Sequence, residues 1–493
     1  VLENLHLFPF QFYISVAALL GFGFIAWVYR RDGWGLPMGV VLATTAVWYH
    51  GDALYNDYPE YIMKMGEVAL GAGWWQVCIF ITAFGLMTPA VHFFVNRKFH
   101  RRRSYLMLYM ETRKLQSPAI QRQIDRLTRS LFAVWLLLMG VALARVELNF
   151  IGLFAPYLGE KVNPWGRGRM GGGIDALLSL AGYVQILLVA SFGVITAVAR
   201  NPTTRMIAFV VCLLAFPFYI FDRTRNTMLA TMLPGMLAWV LFRVRGGMVM
   251  KGIALLACFM VIHFWFSFVI ANRSDVSIAG AIGSEVALKK AETARHEGIS
   301  MFSELGYMND FFDRGTYQPN YGARYFAELV NPIPRAIWKG KPTVGLDYAI
   351  ARGFAGNEDS DGGITASIAT GMIGQGVVNF GPLFGPIAAA LLMALWVSVL
   401  ARQDLMGRDP ARLLLFSVGM ILTFNMGRDI TLLVLYPYVF GWILLSLRNY
   451  FAPVGGGGAG DRAPAVHPPR LSAPRRGYRP AGLSRGPQPP RTI

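Results

Sequence analysis

Eleven apolar stretches run through this chain, at about 10–28, 36–51, 74–95, 130–153, 174–199, 206–221, 226–242, 249–271, 383–401, 412–427 and 430–447. Most approach the roughly 20 residues that a helix needs to cross a bilayer. Inside hydrocarbon every backbone N–H and C=O must be satisfied within the protein, and long apolar runs meet that demand as helices. The composition agrees, because 54% hydrophobic and only 15% charged residues over 493 positions are too apolar for an ordinary soluble protein. The expected fold is an all-α polytopic membrane protein of about eleven transmembrane helices. Residues 1–271 hold the first eight, 272–382 form a large helical outer loop, 383–450 hold the last three, and 451–493 form a disordered, basic cytoplasmic tail.

The formal charge of +18 would point to nucleic acid in a soluble chain, but here its placement decides its meaning. Residues 97–129 carry ten Lys or Arg against Glu111 and Asp125, and the tail from Arg448 carries eight Arg against Asp461. The positive-inside rule puts both in the cytoplasm. Adding Arg30/Arg31, Arg200/Arg205, Arg243/Arg245/Lys251 and Arg402/Arg408/Arg412 to the same side gives a consistent alternation, with the N-terminus outside and the C-terminus inside. That scheme requires the apolar segment 362–380 not to cross. Its Gly362, Gly363, Gly371, Gly374, Gln375 and Gly376 suit a re-entrant or half-buried helix at the outer face, with Asn379-Phe-Gly-Pro-Leu-Phe-Gly-Pro386 turning the chain into the next span. No cleavable signal peptide stands out. Cys78, Cys212 and Cys258 all fall in spans, so no disulfide framework or thiolate metal site is readable.

Chemistry is therefore sought on the outer loops. The 272–361 stretch is nearly balanced, with ten basic and twelve acidic residues, and reads as a folded surface. Apolar residues at three-to-four spacing, among them Met301, Phe302, Leu305, Met308 and Phe312, predict a helix over 276–312 that lies on the membrane and walls a cavity. Arg223, Arg225, Arg273 and Arg428 sit at the outer boundary, where positive charge is disfavoured. A guanidinium there suits a pyrophosphate, which it meets with planar bidentate donors, although Asp222, Asp275 and Asp429 offer ion pairs as the plainer explanation. Arg145 is expected inside the fourth span with Glu147 and Asn149, as a ligand group or an internal pair. Asp52, Tyr55, Asp57 and Glu60 place carboxylates among aromatics, either to grip sugar or as an interfacial belt. Glu358, Asp359 and Asp361 offer a general base or merely a polar turn. His296 and His263 read as solvated and structural.

Asn331-Pro-Ile-Pro-Arg-Ala-Ile-Trp-Lys-Gly-Lys-Pro342, then Gly363-Ile-Thr-Ala-Ser-Ile-Ala-Thr-Gly371 and Val378-Asn-Phe-Gly381, resemble oligosaccharide repeat-unit polymerases of the O-antigen polymerase (Wzy) type. The Arg-Thr-Arg turn at 223–225, the Gly-Asp-x-x-Tyr at 51–55 and an Arg-x10-Gly spacing at Arg352 and Gly363 also look like that family; the first 45 residues and the tail do not. The resemblance implies a GT-C-like glycosyltransferase of the bacterial inner membrane with its site facing the periplasm. It would move a growing glycan from undecaprenyl pyrophosphate onto another lipid-linked repeat unit. On that reading Arg225, Arg273 and Arg335 act in catalysis together with a base among Glu358, Asp359 and Asp361. Arg223, Arg428, Lys339, Lys341 and Arg145 hold pyrophosphate, and Asp52, Tyr55, Trp338 and Asn379 touch sugar. No metal or other cofactor is required if arginine carries the phosphate charge. A chain-length regulator and a flippase are further expected partners, and nucleic acid is not. Three alternatives remain open: a ligase of the same architecture, a metal-dependent transferase using Asp52 and Asp57, and a lipid-linked oligosaccharide flippase.

Overall fold

The computed structural model describes residues 6–99, 102–112, 114–156, 162–165, 173–221, 225–271, 300–331, 333, 337–353, 368–407 and 409–451. Its helices, in chain order, are α1 (Phe10–Val28), α2 (Gly35–Thr45), α3 (Asp52–Tyr55), α4 (Tyr58–Val95), α5 (Tyr105–Thr112), α6 (Pro118–Arg145), α7 (Phe150–Phe154), α8 (Gly173–Val198) and α9 (Pro202–Ile220). Then follow α10 (Arg225–Phe242), α11 (Met248–Ala271), α12 (Met301–Asp313), α13 (Ala323–Val330), α14 (Leu346–Ala351), α15 (Gly371–Leu405), α16 (Pro410–Met426) and α17 (Leu432–Phe451). Among the described residues there is no strand. A π-helical turn, Ala46–Gly51, joins α2 to α3. The chain divides into Val1–Leu445 and a C-terminal unit from Ser446, of which only the end of α17 is described.

Six helices are long and apolar enough to cross a membrane, and four shorter apolar helices accompany them among the described residues. The eleven apolar stretches of the sequence fall mainly on helix, the 130–153 stretch being broken by a turn at 146–149. Loops of like character meet. Ser104 donates its amide to the Arg31 carbonyl at 2.8 Å and Leu106 to Asp404 at 2.9 Å, while the Arg200 guanidinium reaches the Gln116 side chain at 2.6 Å. At the other end of α4, Asp52 meets the start of α12, and the Arg428 turn meets the start of α15.

Two expectations change. Arg145 is the last residue of a candidate span rather than a mid-span residue: α6 ends on it, and Glu147 and Leu148 follow in left-handed backbone at φ 52° and 61°. Both charged side chains are exposed at that helix end. Helix α12 does not lie on a surface either. Met301, Phe302, Leu305 and Met308 are buried, but so are Ser303, Glu304 and Gly306, so nearly every face is covered. Phe302 stacks on Trp74 with ring centroids 4.1 Å apart. The 276–299 part of that expected helix lies outside the described residues.

The 371–380 segment doubles back at Gly381. There φ is 79° and ψ 177°, a region open in practice only to glycine. A methyl at Gly376 would collide with the Gly385 carbonyl, so the two legs of α15 touch backbone to backbone. Gly381→Ala is expected to destabilise the fold by roughly 1–3 kcal/mol, seen as a lowered thermal midpoint of the purified protein.

Candidate active site

Several residues singled out by sequence prove to be fixed by the protein itself. Asp52 is fully buried. Its Oδ1 accepts from Asn56 (2.6 Å) and Tyr61 (2.9 Å), and its Oδ2 from the amides of Phe302 (2.8 Å) and Ser303 (3.1 Å). Those amides are first-turn donors of α12, whose own cap residue Ser300 makes no side-chain cap bond. Asp52 thus caps a helix about 250 residues away in sequence. Asn379, also buried, accepts from the Tyr325 amide (3.1 Å) and donates to the Gln375 carbonyl (2.7 Å). Lys341 donates to the Asn331 and Ile333 carbonyls at 2.8 and 2.9 Å, closing the proline-rich loop upon itself. Arg352 forms a two-point pair with Glu304, Nε–Oε2 and Nη2–Oε1 both 3.1 Å, and lies 3.8 Å over the Tyr307 ring. Tyr348 completes that cluster, donating to Glu304 at 2.6 Å.

Tyr55, Trp338 and Lys339 are exposed, with Trp338 edge-on to Phe326. Arg428 is half-buried in the turn after α16. Arg225 begins α10. Arg223, Arg273, His296, Arg335, Glu358, Asp359 and Asp361 lie outside the described residues.

The structure brings together a set that sequence reasoning passed over. Short helix α13 puts Arg324 and Glu328 one turn apart, both facing inward, with Arg324 2% and Glu328 7% exposed. Left-handed Gly322 (φ 92°) starts the helix, and a methyl group at left-handed Gly345 (φ 69°) would rest against the Arg324 guanidinium. Across from it, Asp429 stands 3.6 Å from Arg324 Nη2 and accepts from the Thr370 hydroxyl at 3.2 Å. The turn that carries Asp429 is held by α15: the Gly371 and Met372 amides donate to the Arg428 and Gly427 carbonyls, and Gln375 bonds both the Ile430 amide and carbonyl.

What marks this cluster is unmet hydrogen bonding. Nε and Nη1 of Arg324, Oε2 of Glu328 and the hydroxyls of Tyr325 and Tyr436 are buried with no hydrogen-bond partner among the described residues. A buried guanidinium whose donors go unused costs free energy that an anionic ligand would recover. Tyr325 lies within electrostatic reach of Arg324 and Asp429, and Tyr436 of Glu328. Burial pushes the Glu328 carboxyl up to about 7; the neighbouring Asp429 adds to this, and the Thr431 hydroxyl and Arg324 work against it. Burial likewise raises Asp429, against the pull of Arg324 and Arg428. A carboxyl near 7 beside a cation with free donors is suited to taking a proton while an anion departs.

The pair was easy to miss, because Arg and Glu four apart on an amphipathic helix ordinarily form an exposed ion pair. The available signal was position: Ala323–Val330 leads straight into Asn331-Pro-Ile-Pro. Comparison with protein-family models, curated proteins and solved structures found no match to this chain.

Proposed function

We propose that this protein polymerises undecaprenyl-pyrophosphate-linked oligosaccharide repeat units at the outer face of a bacterial inner membrane, crossing it eleven times in a GT-C-like arrangement. The observation that carries this reading is the buried Arg324, with two unused donors beside Glu328. The resemblance of the 331–342 run to repeat-unit polymerases supplies the substrate class.

In the proposed reaction a hydroxyl of the acceptor sugar attacks the anomeric carbon of the donor. The new C–O glycosidic bond forms as the bond from that carbon to the pyrophosphate oxygen breaks. The hydroxyl proton passes to the Glu328 carboxylate, and the lipid pyrophosphate leaves with its extra negative charge held by Arg324 and Arg428. Arginine forks suit that charge, and stabilising a leaving group as charge develops is where an enzyme gains most. Arg223, Arg225, Arg273 and Arg335 are assigned to the second lipid pyrophosphate. The carboxyls at 358, 359 and 361 are the rival bases.

Purified protein in liposomes, given a lipid-pyrophosphate-linked repeat unit and EDTA, is expected to yield a glycan ladder on a gel. Arg225→Ala and Arg335→Ala are expected to shorten or abolish it. Transfer only to a lipid A core acceptor would replace the reading with a ligase, and movement of the lipid across the bilayer without new glycosidic bonds would replace it with a flippase.

A further inference from the structure

At the far end of helices α8, α9 and α10 lies an open groove of about 400 Å³, lined by Thr196, Pro202, Arg205, Met206, Phe209, Trp239 and Arg243. It is remote from the Arg324 site. Glu328 is within reach of Tyr436, which packs against Tyr183 on α8, whereas the groove begins at Thr196. The 13 residues between them span about 20 Å of helix.

Its make-up is amphipathic along one direction. Met206, Phe209 and Trp239 are 62%, 51% and 52% exposed, an apolar floor on the outside of helices that themselves suit a membrane. The two arginines stand at the helix ends. Arg243 is held in place, its Nε on the Ala197 carbonyl at 2.6 Å and its Nη2 on that of Ala199 at 2.7 Å, yet no carboxylate pairs with it among the described residues. The Arg205 guanidinium has no hydrogen-bond or ion-pair partner there, only its backbone amide being bonded, to the Asn201 carbonyl. The acid at hand, Asp125, is already taken by the Thr204 hydroxyl at 2.6 Å and by Asn201 at 3.4 Å. An oriented guanidinium and a free one, set above a tryptophan and an apolar floor, match a phosphate group that arrives with its own acyl chains.

We infer that this groove binds an anionic glycerophospholipid of the surrounding leaflet, with the phosphate between Arg205 and Arg243 and an acyl chain along Phe209, Met206 and Trp239. The inference is independent of what reaction the protein carries out. A free phosphate would leave the apolar floor bare, and a zwitterionic lipid would bring a cation towards two arginines.

The test is native mass spectrometry of the full chain released from detergent, after titration with phosphatidylglycerol or phosphatidylcholine. Retained phosphatidylglycerol is expected to exceed phosphatidylcholine by about tenfold, and Arg205→Gln to remove most of that preference. Arg205 is the variant of choice because its side chain supports no other contact, so the fold is expected to be unchanged. Arg205→Lys, which keeps the charge, is expected to restore part of the preference. Equal retention of the two lipids, an unchanged preference in Arg205→Gln, or full displacement by millimolar inorganic phosphate would each overturn the inference.

Discussion

Arg324→Gln is expected to cut glycan polymerisation by on the order of 10²–10³-fold, the largest single loss among the substitutions considered. The variant is shorter than arginine and keeps an amide donor, but it removes the charge proposed to meet the leaving pyrophosphate. It also leaves Asp429 and Glu328 buried without their cation. Removing one partner from a buried charged cluster ordinarily costs about 3–5 kcal/mol. Here both carboxyls are already raised towards protonation, so at pH 6 the variant is expected to fold and insert. Arg324→Lys should retain insertion at every pH but recover only part of the activity, because an ammonium cannot replace a planar fork. Ladder formation at matched levels of folded protein, judged by size-exclusion profile, separates the two effects. A variant that polymerises at parental rates would remove Arg324 from the reaction.

Glu328→Gln is expected to lower the rate by about 10²–10⁴-fold while stabilising the protein above neutral pH. The two effects share one cause. The carboxyl rises from an ordinary 4.5 to about 7 in the fold, so the folded state holds its proton more tightly than the unfolded chain. That contribution is fully present below about pH 4.5 and is lost as pH rises through 7, a difference on the order of 3 kcal/mol. Asp429 is shifted in the same direction. Parental activity should therefore climb through pH 7 as Glu328 ionises, while thermal stability falls over the same interval. In Glu328→Gln the stability slope should flatten. Activity that persists in the variant with an unaltered pH profile would transfer the role to the carboxyls at 358–361.

Helical class and the positions of the apolar segments were readable from the sequence, because they follow from hydropathy. The site was only half legible. Arg428 and its Asp429 were noticed, since an arginine on the outer side of a membrane protein conflicts with the usual charge bias. Arg324 and Glu328 were not, because nothing in their spacing distinguishes a pair facing water from a pair facing inward. What turns them inward is the bonding of α13 and the residue leading into it to Asn379 and Val378, residues far along the chain. Asp52 shows the reverse error. A carboxylate among aromatics suggested sugar, whereas its oxygens are spent on a helix start and two side chains.

The first leg of α15 is bonded to both halves of the site. Asn320 donates its amide to Val378 and Tyr325 donates to Asn379, while Gly371, Met372 and Gln375 hold the 427–430 turn. This ten-residue leg works as a jig: it sets the gap between Arg324 and Asp429 without touching either charge with a side chain of its own. On the proposed reaction, tolerance at the Arg324 cluster is then set by how closely Gly376 and Gly385 seat against each other. Drift at those glycines would show as slow turnover in protein that still reaches the membrane and looks sound, a fault in alignment rather than in assembly.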